Sequence, residues 1–396
     1  MLKRKTVILG VTGSIAAYKA VDIASQLTQA GARVDVVMTE AATEFITPLT
    51  FQAITERPVV AEMFGVNFES GIGHISLAEA ADVIVIAPAT ANIIARLAAG
   101  IADDMLCCTV LASKAPVIIA PAMNVNMFEN PITQDNLLKL KARNFITVGP
   151  VSGRLASGKE GLGRLADSND IIGTICQVLG VGGDLTHKSI IVTAGGTQES
   201  IDPVRCITNR SSGKMGYALV EAARDRGARV TLITAPTSLT RPVGVQIIDV
   251  RSAQEMCQAV IDAVPLADAL IMAAAVADYQ PVTIARDKIK KKGTGLTLEL
   301  ELTSDILGSV QGDFIKVGFA AESSDLVENA KQKLQQKGLD LIVANDITAV
   351  DSGFGADNNQ VTIIDRDGKI DRVPLLSKRE VADKILDKVA KLAGRH

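Results

Sequence analysis

Two separate sets of polar residues could carry chemistry in this chain. In the first set, His74 lies between a Gly-rich run and a helix expected to start near Ser76, and Asn124 follows Pro-Ala-Met after an apolar stretch. A histidine can transfer protons near neutral pH, and an amide can hold a carboxylate without adding charge. The second set is Asn-Arg-Ser-Ser-Gly-Lys-Met-Gly (209–216), a Gly/Ser-rich loop suited to a phosphate. We therefore predict two sites. The alternative for the first site is that His74 is only structural and that Asn124 only caps a turn.

Small and hydroxyl residues after the apolar runs suit a mononucleotide. Gly13 and Ser14 precede a helical pattern and could offer N–H groups and a hydroxyl to a phosphate. Thr39 follows the next strand pattern, and Ala-Pro-Ala-Thr-Ala-Asn (87–92) follows another. The spacing is not Gly-x-Gly-x-x-Gly, although Glu40 could mimic the ribose-binding acid of a dinucleotide fold. A nicotinamide cofactor is therefore the alternative ligand.

An imperfect internal repeat indicates the fold class. Residues 6–40 and 189–235 each read as strand, Gly-containing loop, helix and strand, with Gly31 or Gly227 closing the helix. Further apolar runs alternate with helical patterns in both halves, which predicts an α/β protein with two doubly wound parallel-sheet domains. The 396 residues suffice for two cores. We place the domains at residues 1–180 and 187–396, joined by the Gly-rich run 179–186.

The composition excludes several classes of protein. The net charge is -3 and no basic block occurs, so we expect neither nucleic acid nor an anionic membrane as a partner. Residues 83–99 are interrupted by polar residues and predict no membrane helix, and the start shows no secretory leader. The five cysteines lack paired spacing and predict buried, inert thiols in a cytoplasmic protein. A mean hydropathy of +0.26 fits buried strands and a subunit interface, hence a homo-oligomer.

Several motifs of the first half occur together in one known family. They are His-Ile-Ser-Leu-Ala-Glu-Ala-Ala-Asp (74–82), residues 87–92, Gly-Ile-Ala-Asp-Asp-Met-Leu (100–106), Pro-Ala-Met-Asn-Val-Asn-Met (121–127) and Gly-Lys-Glu-Gly-Leu-Gly-Arg-Leu (158–165). Their order resembles the flavin-dependent cysteine decarboxylases over nearly all of residues 1–175. The resemblance implies a flavodoxin-like domain that decarboxylates a cysteine derivative.

The resemblance also assigns roles to single residues. It implies that His74 is the acid/base and that Asn124 contacts the substrate carboxylate. Oxidation beside sulfur by a flavin would create the electron sink that carboxylate loss requires, and the hydride would then return to the product. The implied FMN-binding residues are Gly13, Ser14, Thr39, Pro88, Ala89, Thr90, Asn92 and Met105.

Ser157 is a departure from the pattern of that family. The family's loop commonly carries a cysteine at this position, which is thought to donate the final proton, and serine is far less acidic than a thiol. The rest of the loop motif is retained. We therefore expect the substrate to be clamped, and we expect full turnover with the proton coming from Ser157 through a water, from Lys159 or from His74.

The second half contains a different group of motifs. Thr-Ala-Gly-Gly-Thr-Gln-Glu-Ser (193–200) leads into the loop at 209–216, and Ala-Ala-Ala-Val-Ala-Asp-Tyr (273–279) and Gly-Phe-Ala-Ala-Glu (318–322) follow. Lys333 and Lys337, four residues apart, share one helix face and could meet a triphosphate, although such lysines are usually only solvated. The set resembles phosphopantothenate-cysteine ligase over roughly residues 188–390. The order of the halves matches the bifunctional bacterial enzymes of coenzyme A biosynthesis.

The ligase resemblance implies small-molecule substrates, namely 4'-phosphopantothenate, L-cysteine and CTP. The carboxylate would attack CTP to give an acyl-cytidylate, which Asn209 would orient and the cysteine amine would then cleave. Mg²⁺ is expected to bridge the triphosphate, although no carboxylate cluster indicates its ligands. The implied CTP-binding residues are Met272, Ala273, Ala274, Asp278, Lys288, Ser304, Asp305, Ile306, Leu307, Phe319, Lys333 and Lys337.

Two other functions fit parts of the sequence. A nicotinamide-dependent oxidoreductase would use the Gly13 loop and Glu40, and it would not carry a flavin. A non-catalytic regulatory protein built on the decarboxylase fold would show no turnover. The bifunctional enzyme explains both sets of motifs, and it is the function that we predict.

Overall fold

The structure is a computed structural model that describes residues 2–63, 73–155, 158, 160–291, 293, 295–322, 326–346 and 355–394. The chain separates into two compact units, Met1–Leu179 and Gly180–His396. Each unit contains a sheet with helices on both faces, which confirms the predicted fold class. The change from one unit to the next falls beside the Gly-rich run at 179–186.

The first unit is built from alternating strands and helices. Its strands are β1 (Thr6–Val11), β2 (Arg33–Met38), β3 (Val83–Ala89), β4 (Val117–Pro121), β5 (Ile146–Thr147), β6 (Val151–Arg154) and β7 (Glu160–Arg164). Its helices are α1 (Ala17–Gln29), α2 (Glu40–Thr43), α3 (Pro48–Thr55), α4 (Gly73–Ala80), α5 (Ala91–Ala99), α6 (Met105–Ala112), α7 (Val125–Phe128), α8 (Pro131–Ala142) and α9 (Ser168–Leu179).

A parallel sheet with the order β2-β1-β3-β4-β5 forms the centre of this unit. Every residue of β1 and β3 is buried, as expected for strands covered on both faces. Helix α1 buries residues spaced three and four apart, so it packs one apolar stripe on the sheet. Gly31 ends this helix segment with a φ of 85°, where a side chain would be strained.

The second unit has more strands. They are β8 (Ser189–Ala194), β9 (Gln198–Ser200), β10 (Cys206–Thr208), β11 (Arg229–Thr234), β12 (Gln246–Asp249), β13 (Ala269–Met272), β14 (Tyr279–Pro281), β15 (Leu300–Leu302), β16 (Ile315–Glu322), β17 (Leu341–Asp346), β18 (Asn358–Asp365) and β19 (Ile370–Ser377). Its helices are α10 (Lys214–Asp225), α11 (Ala253–Ala263), α12 (Ile306–Ser309), α13 (Leu326–Gln336) and α14 (Lys378–Ala393), with a 3₁₀ turn at Val264–Leu266.

The main sheet of the second unit is only partly parallel. Its order is β12-β11-β8-β13-β16-β17-β18-β19, and β18 and β19 are antiparallel to their neighbours. The predicted parallel sheet is present from β12 to β17, and the sequence did not predict the two antiparallel strands at this edge. An apolar run such as Val-Thr-Ile-Ile-Asp (361–365) marks a buried strand but does not encode its direction. The turn at Gly368 reverses the chain and makes β19 the edge.

Small hairpins outside the main sheets were not evident from sequence. The pairs β6–β7, β9–β10 and β14–β15 each form a two-stranded ribbon. Cys206 is exposed on one of these ribbons, and Cys108 and Cys176 are half-buried. The expectation of five buried thiols therefore holds only for Cys107 and Cys257. Cys206 is exposed because a two-stranded ribbon cannot cover both of its own faces.

Candidate functional sites

The hydroxyl of Thr12, directly after β1, bonds to the end of β3 and to the start of α5. Thr12 Oγ1 donates to the carbonyl oxygen of Pro88 at 2.7 Å and accepts from the Thr90 amide at 3.2 Å. Thr90 caps α5 in turn, because its Oγ1 accepts from the amide of Ile93 at 3.3 Å. Thr12 is buried and is not among the predicted site residues. A hydroxyl residue directly after a buried strand is the sequence signal that could have found it.

Thr39 carries a buried hydroxyl that no described residue satisfies. The Thr39 amide donates to the carbonyl oxygen of Val11 at 3.0 Å, which places this residue beside the first loop. Gly13 in that loop has no space for a side chain, since a Cβ there would lie 2.5 Å from the Cβ of Ala41. An unsatisfied buried hydroxyl beside closely packed backbone fits a polar ligand. These residues therefore suit the predicted FMN.

The other predicted flavin residues differ in how accessible they are. Ser14 Oγ accepts from the Ala16 amide at 3.3 Å, and Asn92 is exposed on the first turn of α5. Ala89 and Met105 are buried, and Met105 packs in the core between the sheet and helices α5 and α6. The Met105 side chain thus contributes to the core, and its contact with a cofactor stays a prediction.

Asn124 begins α7 as its N-cap. Its Oδ1 accepts from the amide of Asn126 at 2.9 Å, so the capping alternative is correct as far as this oxygen is concerned. The Nδ2 group donates to no described residue, which leaves it able to donate to a carboxylate. Both interactions can therefore exist together.

The β6–β7 hairpin packs across the segment that carries Asn124. The amide of Met123 donates to the carbonyl oxygen of Gly163 at 2.9 Å. A Cβ at Gly163 would lie 2.3 Å from the Met123 carbonyl oxygen, so only glycine allows this approach. The β6–β7 hairpin is thus held against the segment that carries Asn124. Ser157 and Lys159, which fall between β6 and β7 in the sequence, lie outside the described residues, so their roles stay predictions.

His74 lies in the first turn of α4. The sequence predicts that this helix starts near Ser76, but the helix already includes Gly73. The prediction was wrong because the Gly-His pair itself adopts helical backbone geometry, although glycine disfavours it. His74 is half-buried, and no hydrogen bond between described residues joins it to Asn124. Their joint action therefore remains a prediction.

A cavity of about 700 Å³ lies at the carboxyl edge of the second sheet. This edge is where open α/β sheets bind ligands. All the predicted CTP residues except Lys288 line the cavity, and Asn209 lines it as well. The lining residues from the predicted set are Met272, Ala273, Ala274, Asp278, Ser304, Asp305, Ile306, Leu307, Phe319, Lys333 and Lys337. The structure thus brings together motifs that are distant in sequence.

Three threonines fix the loop that follows β13. Thr193 Oγ1 accepts from the amide of Ala274 at 3.1 Å, and Thr197 Oγ1 accepts from the amide of Ala277 at 2.9 Å. Thr303 Oγ1 donates to the Ala277 carbonyl oxygen at 2.6 Å. Thr193 and Thr197 are completely buried. Sequence analysis missed these positioning residues, although two of them lie in the motif at 193–200.

Asn209 precedes α10 and contacts the loop that follows β13. Its Nδ2 donates to the carbonyl oxygen of Val276 at 2.9 Å, which orients the side chain against the cavity wall. Gly213 caps α10 with a φ of 76°, and its amide donates to Ser211 Oγ at 3.3 Å. A Cβ at Gly213 would lie 2.8 Å from Thr237. The Gly/Ser-rich loop therefore has the tight backbone that phosphate binding requires.

Lys333 and Lys337 form a cationic wall of the cavity. Lys337 Nζ donates to Asp305 Oδ1 at 2.9 Å. Burial would raise the pKa of Asp305, but hydrogen bonds from Lys337 and from the Gly308 amide, with the charge of Lys333, hold that pKa below its usual range. Asp305 is therefore an anion that neutralises only part of this wall, so an anionic ligand remains favoured.

Lys288 is exposed and does not line the cavity. Its segment is tied to the β9–β10 ribbon, because the amide of Ile289 donates to Asp202 Oδ2 at 3.1 Å and Arg205 donates to the Ile289 carbonyl oxygen at 3.2 Å. Contact of Lys288 with a nucleotide remains a prediction.

The cavity also contains two lysines that are not among the predicted CTP-binding residues. Lys214 begins α10 and Lys378 begins α14, and both line the cavity, as does Asn359 at the start of β18. Asn359 lies at the start of β18, and Lys378 directly follows β19. The sequence did not predict the direction of these antiparallel strands. No motif in the sequence points to these two residues.

The described residues include one group with the geometry of a metal site, Asp103, Asp104 and Cys107 in the first unit. Asp104 caps α6 and pairs with Arg96, so its oxygens already serve the fold. Burial, followed by the charge of Asp104, raises the pKa of the Cys107 thiol far above its usual range. A protonated thiol is a poor ligand, and this group therefore does not account for the predicted Mg²⁺.

None of the helices in the described part of the chain is long and apolar enough to cross a membrane.

Comparisons with known proteins match both units. The family described as Flavoprotein matches residues 1–180, and the DNA/pantothenate metabolism flavoprotein C-terminal domain matches residues 185–392. The chain is 47% identical to the coenzyme A biosynthesis bifunctional protein CoaBC of Bacillus subtilis (strain 168), covering 99% of this chain and 98% of that protein. The protein of the same name from Escherichia coli (strain K12) is 43% identical, covering 97% of this chain and 96% of that one.

Among solved structures, the crystal structure of the C-terminal domain of coenzyme A biosynthesis bifunctional protein CoaBC is 40% identical to this chain. It covers 54% of this chain and 100% of the solved one, with a TM-score of 0.47.

Proposed function

This chain belongs to the family of bifunctional coenzyme A biosynthesis proteins, and we propose that its two units act at the residues described above. Membership confirms the prediction of an enzyme with ligase and decarboxylase activities and a flavoprotein half. It argues against a nicotinamide oxidoreductase and against a non-catalytic regulatory protein. We place the division between the activities within residues 180–187, beside the change from one compact unit to the other.

The second unit is proposed to join 4'-phosphopantothenate to L-cysteine at the expense of CTP. A free carboxylate is inert to amines, so it first attacks the α-phosphate of CTP and forms an acyl-cytidylate with loss of pyrophosphate. The cysteine amine then displaces CMP. The observation that supports this proposal is the cavity, which gathers Asn209 and all the predicted CTP residues except Lys288.

Charge distribution gives the cavity residues their proposed roles. Lys333 and Lys337 would balance the triphosphate, and the fixed amide of Asn209 would orient the acyl-cytidylate. The carboxylates of Asp278 and Asp305 line the cavity on separate loops. Mg²⁺ is therefore proposed to arrive bound to the triphosphate, and Asp278 and Asp305 are the cavity carboxylates that could contact it.

The first unit is proposed to decarboxylate 4'-phosphopantothenoylcysteine with FMN. Gly13, Ser14, Thr39 and the 87–92 loop would hold the cofactor, and the unsatisfied hydroxyl of Thr39 supports this assignment. FMN supplies reversible hydride transfer, which removes the barrier to losing carbon dioxide next to an unactivated carbon. Asn124 would hold the carboxylate through Nδ2 while its Oδ1 caps α7.

Proton transfer in the first unit is assigned to His74. A half-buried histidine on the first turn of a helix can both accept and return a proton through its imidazole ring. The final proton is proposed to come from Ser157 through a water, from Lys159 or from His74. The product would then be the saturated thiol, 4'-phosphopantetheine.

Exposed apolar side chains support the proposal of a homo-oligomer. Ile15 and Tyr18 on the α1 side are 59% and 62% exposed, and Leu49 on the neighbouring α3 is 70% exposed. Large apolar side chains exposed on neighbouring elements are more frequent at subunit contacts than elsewhere on the surface. Light scattering on the purified protein would give the number of subunits, and a monomer at micromolar concentration would refute the proposal.

The proposed reactions can be tested in one preparation. The purified protein should be yellow from oxidised flavin, and it should form 4'-phosphopantetheine over many turnovers from 4'-phosphopantothenate, CTP and cysteine. Mass spectrometry follows the product. A colourless protein, or the absence of pyrophosphate release, would contradict the corresponding half. A product two hydrogens lighter, with one flavin reduced per enzyme, would show that none of Ser157, Lys159 and His74 supplies the final proton, and the first unit would then be an oxidative decarboxylase.

A further inference from the structure

The cavity of the second unit has cationic side chains on both sides of the sheet. Lys333 and Lys337 come from α13 and its end, and α13 packs on the face that also carries α11 and α12. Lys214 and Lys378 begin α10 and α14, which pack on the opposite face. The sheet edge separates these two pairs. The cavity can therefore hold two anionic groups at once without bringing them together.

Lysine is an unusual residue at the first position of a helix. The helix dipole places partial positive charge there, so a cation is disfavoured and an anion is preferred. Helices α10 and α14 nevertheless both begin with lysine, and both lysines line the same cavity. This arrangement costs stability in the free protein, and an anionic ligand between the two helix ends would offset that cost.

Lys378 is the more deeply placed of the two. Its residue is 7% exposed, and its Nζ donates to the carbonyl oxygen of Ala356. Burial, then the charge of Lys214, lowers the pKa of Lys378, while Asp357 acts in the opposite direction. A second negative charge in the cavity would therefore stabilise this ammonium group.

Lys214 has a partner that a ligand could replace. Its Nζ lies 2.6 Å from Asp357 Oδ1 and 2.9 Å from the Gly355 carbonyl oxygen. The side chain of Asp357 is 88% exposed, and exposed ion pairs contribute little stability. A phosphate dianion would therefore exchange readily with this carboxylate or share the lysine with it.

We infer that Lys214 and Lys378 bind the phosphate monoester of the acyl substrate and make the ligase selective for the phosphorylated form of pantothenate. This inference rests on the proposed function, in which a nucleoside triphosphate and a phosphate monoester occupy one cavity. Lys333 and Lys337 then serve the nucleotide. In this inference the antiparallel pair β18–β19 contributes to substrate binding, because it brings the start of α14 to the edge of the sheet that binds ligands.

Substrate discrimination tests the inference directly. Pyrophosphate release would be measured with 4'-phosphopantothenate and with pantothenate, for the full-length protein and for Lys378→Gln and Lys214→Gln. We expect each variant to lose about 30-fold or more of the kcat/KM ratio between the two substrates, since a hydrogen-bonded charge contact is lost. The KM for CTP should change by less than about twofold, and Lys378→Arg should recover much of the selectivity.

Controls separate recognition from folding. Lys391→Gln lies on the same helix α14, is exposed and should match the wild type. Melting temperatures identify a variant that merely unfolds, and the more exposed Lys214 keeps the test valid if Lys378→Gln does not fold. An equal loss with both acyl substrates, or a rise confined to the KM for CTP, would overturn the inference. If the wild type releases no pyrophosphate, the proposed function itself has failed.

Discussion

The two units start from the same strand-helix-strand unit but build their sites differently. In the first unit, the strand-end hydroxyls and amides are largely used within the loops, as in Thr12, Thr90 and Asn124. In the second unit, buried threonines hold the backbone of the loop after β13 through hydrogen bonds, and charged side chains line a cavity. The same opening strand-helix-strand unit is therefore combined with mainly neutral polar residues in one unit and with a cationic cavity in the other.

This difference follows the chemistry that each unit has to serve. A flavin supplies its own electron sink, so the first unit needs orientation, a proton donor and protection of the substrate. Activation of a carboxylate by a triphosphate develops charge on phosphate oxygens, so the second unit needs cations. The contrast yields four predictions, given from the largest expected effect to the smallest.

Replacement of the histidine should abolish only the first activity. His74→Asn is expected to lower carbon dioxide release by about 10³-fold or more, because the acid/base is lost, while flavin absorbance and pyrophosphate release are retained. His187→Asn is the matched control, since His187 has a φ of 68° that asparagine tolerates. Undiminished carbon dioxide release from the His74 variant would end its assignment.

A charge placed at the cavity mouth should affect only the second activity. Asn209→Asp is expected to lower amide formation by about 10²-fold, because the new carboxylate faces an anionic acyl phosphate. Decarboxylation of supplied 4'-phosphopantothenoylcysteine should be unchanged. Gln246→Glu adds the same charge at an exposed position of β12 and serves as the control. Wild-type rates of both pyrophosphate release and amide formation would remove Asn209 from the site.

The orphaned hydroxyl in the first unit should matter for cofactor binding and not for folding. Thr39→Val is expected to weaken FMN binding by about tenfold, the value of one hydrogen bond, and to leave the melting temperature of the flavin-free protein equal or higher. Thr186 Oγ1 is the comparable orphan in the second unit. Thr186→Val should change neither flavin affinity nor ligation. Unaltered FMN affinity in Thr39→Val would place the cofactor elsewhere.

Separation of the units should have the smallest effect. A protein spanning residues 185–396 should release pyrophosphate with a kcat within about threefold of the full chain, because it contains a complete sheet and its cavity. Circular dichroism establishes that it is folded. A folded but inactive fragment would show that the two units share a site, and the comparison between independent sites would then be wrong.

The sequence by itself determined the two α/β units and the bifunctional family, and it predicted eleven of the residues that line the cavity together with Asn209. These succeeded because buried strands read as continuous apolar runs and because strand-end motifs fix which residues meet at one edge of a sheet. Gly31 and Gly227 also closed their helices with positive φ, as their positions predicted.

Only the tertiary structure decided the features that depend on strand direction and on packing between distant segments. The antiparallel β18–β19 pair brings Lys378 to the cavity, and an apolar run carries no information about its direction. The early start of α4 placed His74 in a helix, where local patterns predicted a loop. Thr12 and Thr193 act through hydrogen bonds to residues about 80 positions away, and such pairings arise only when the sheet assembles.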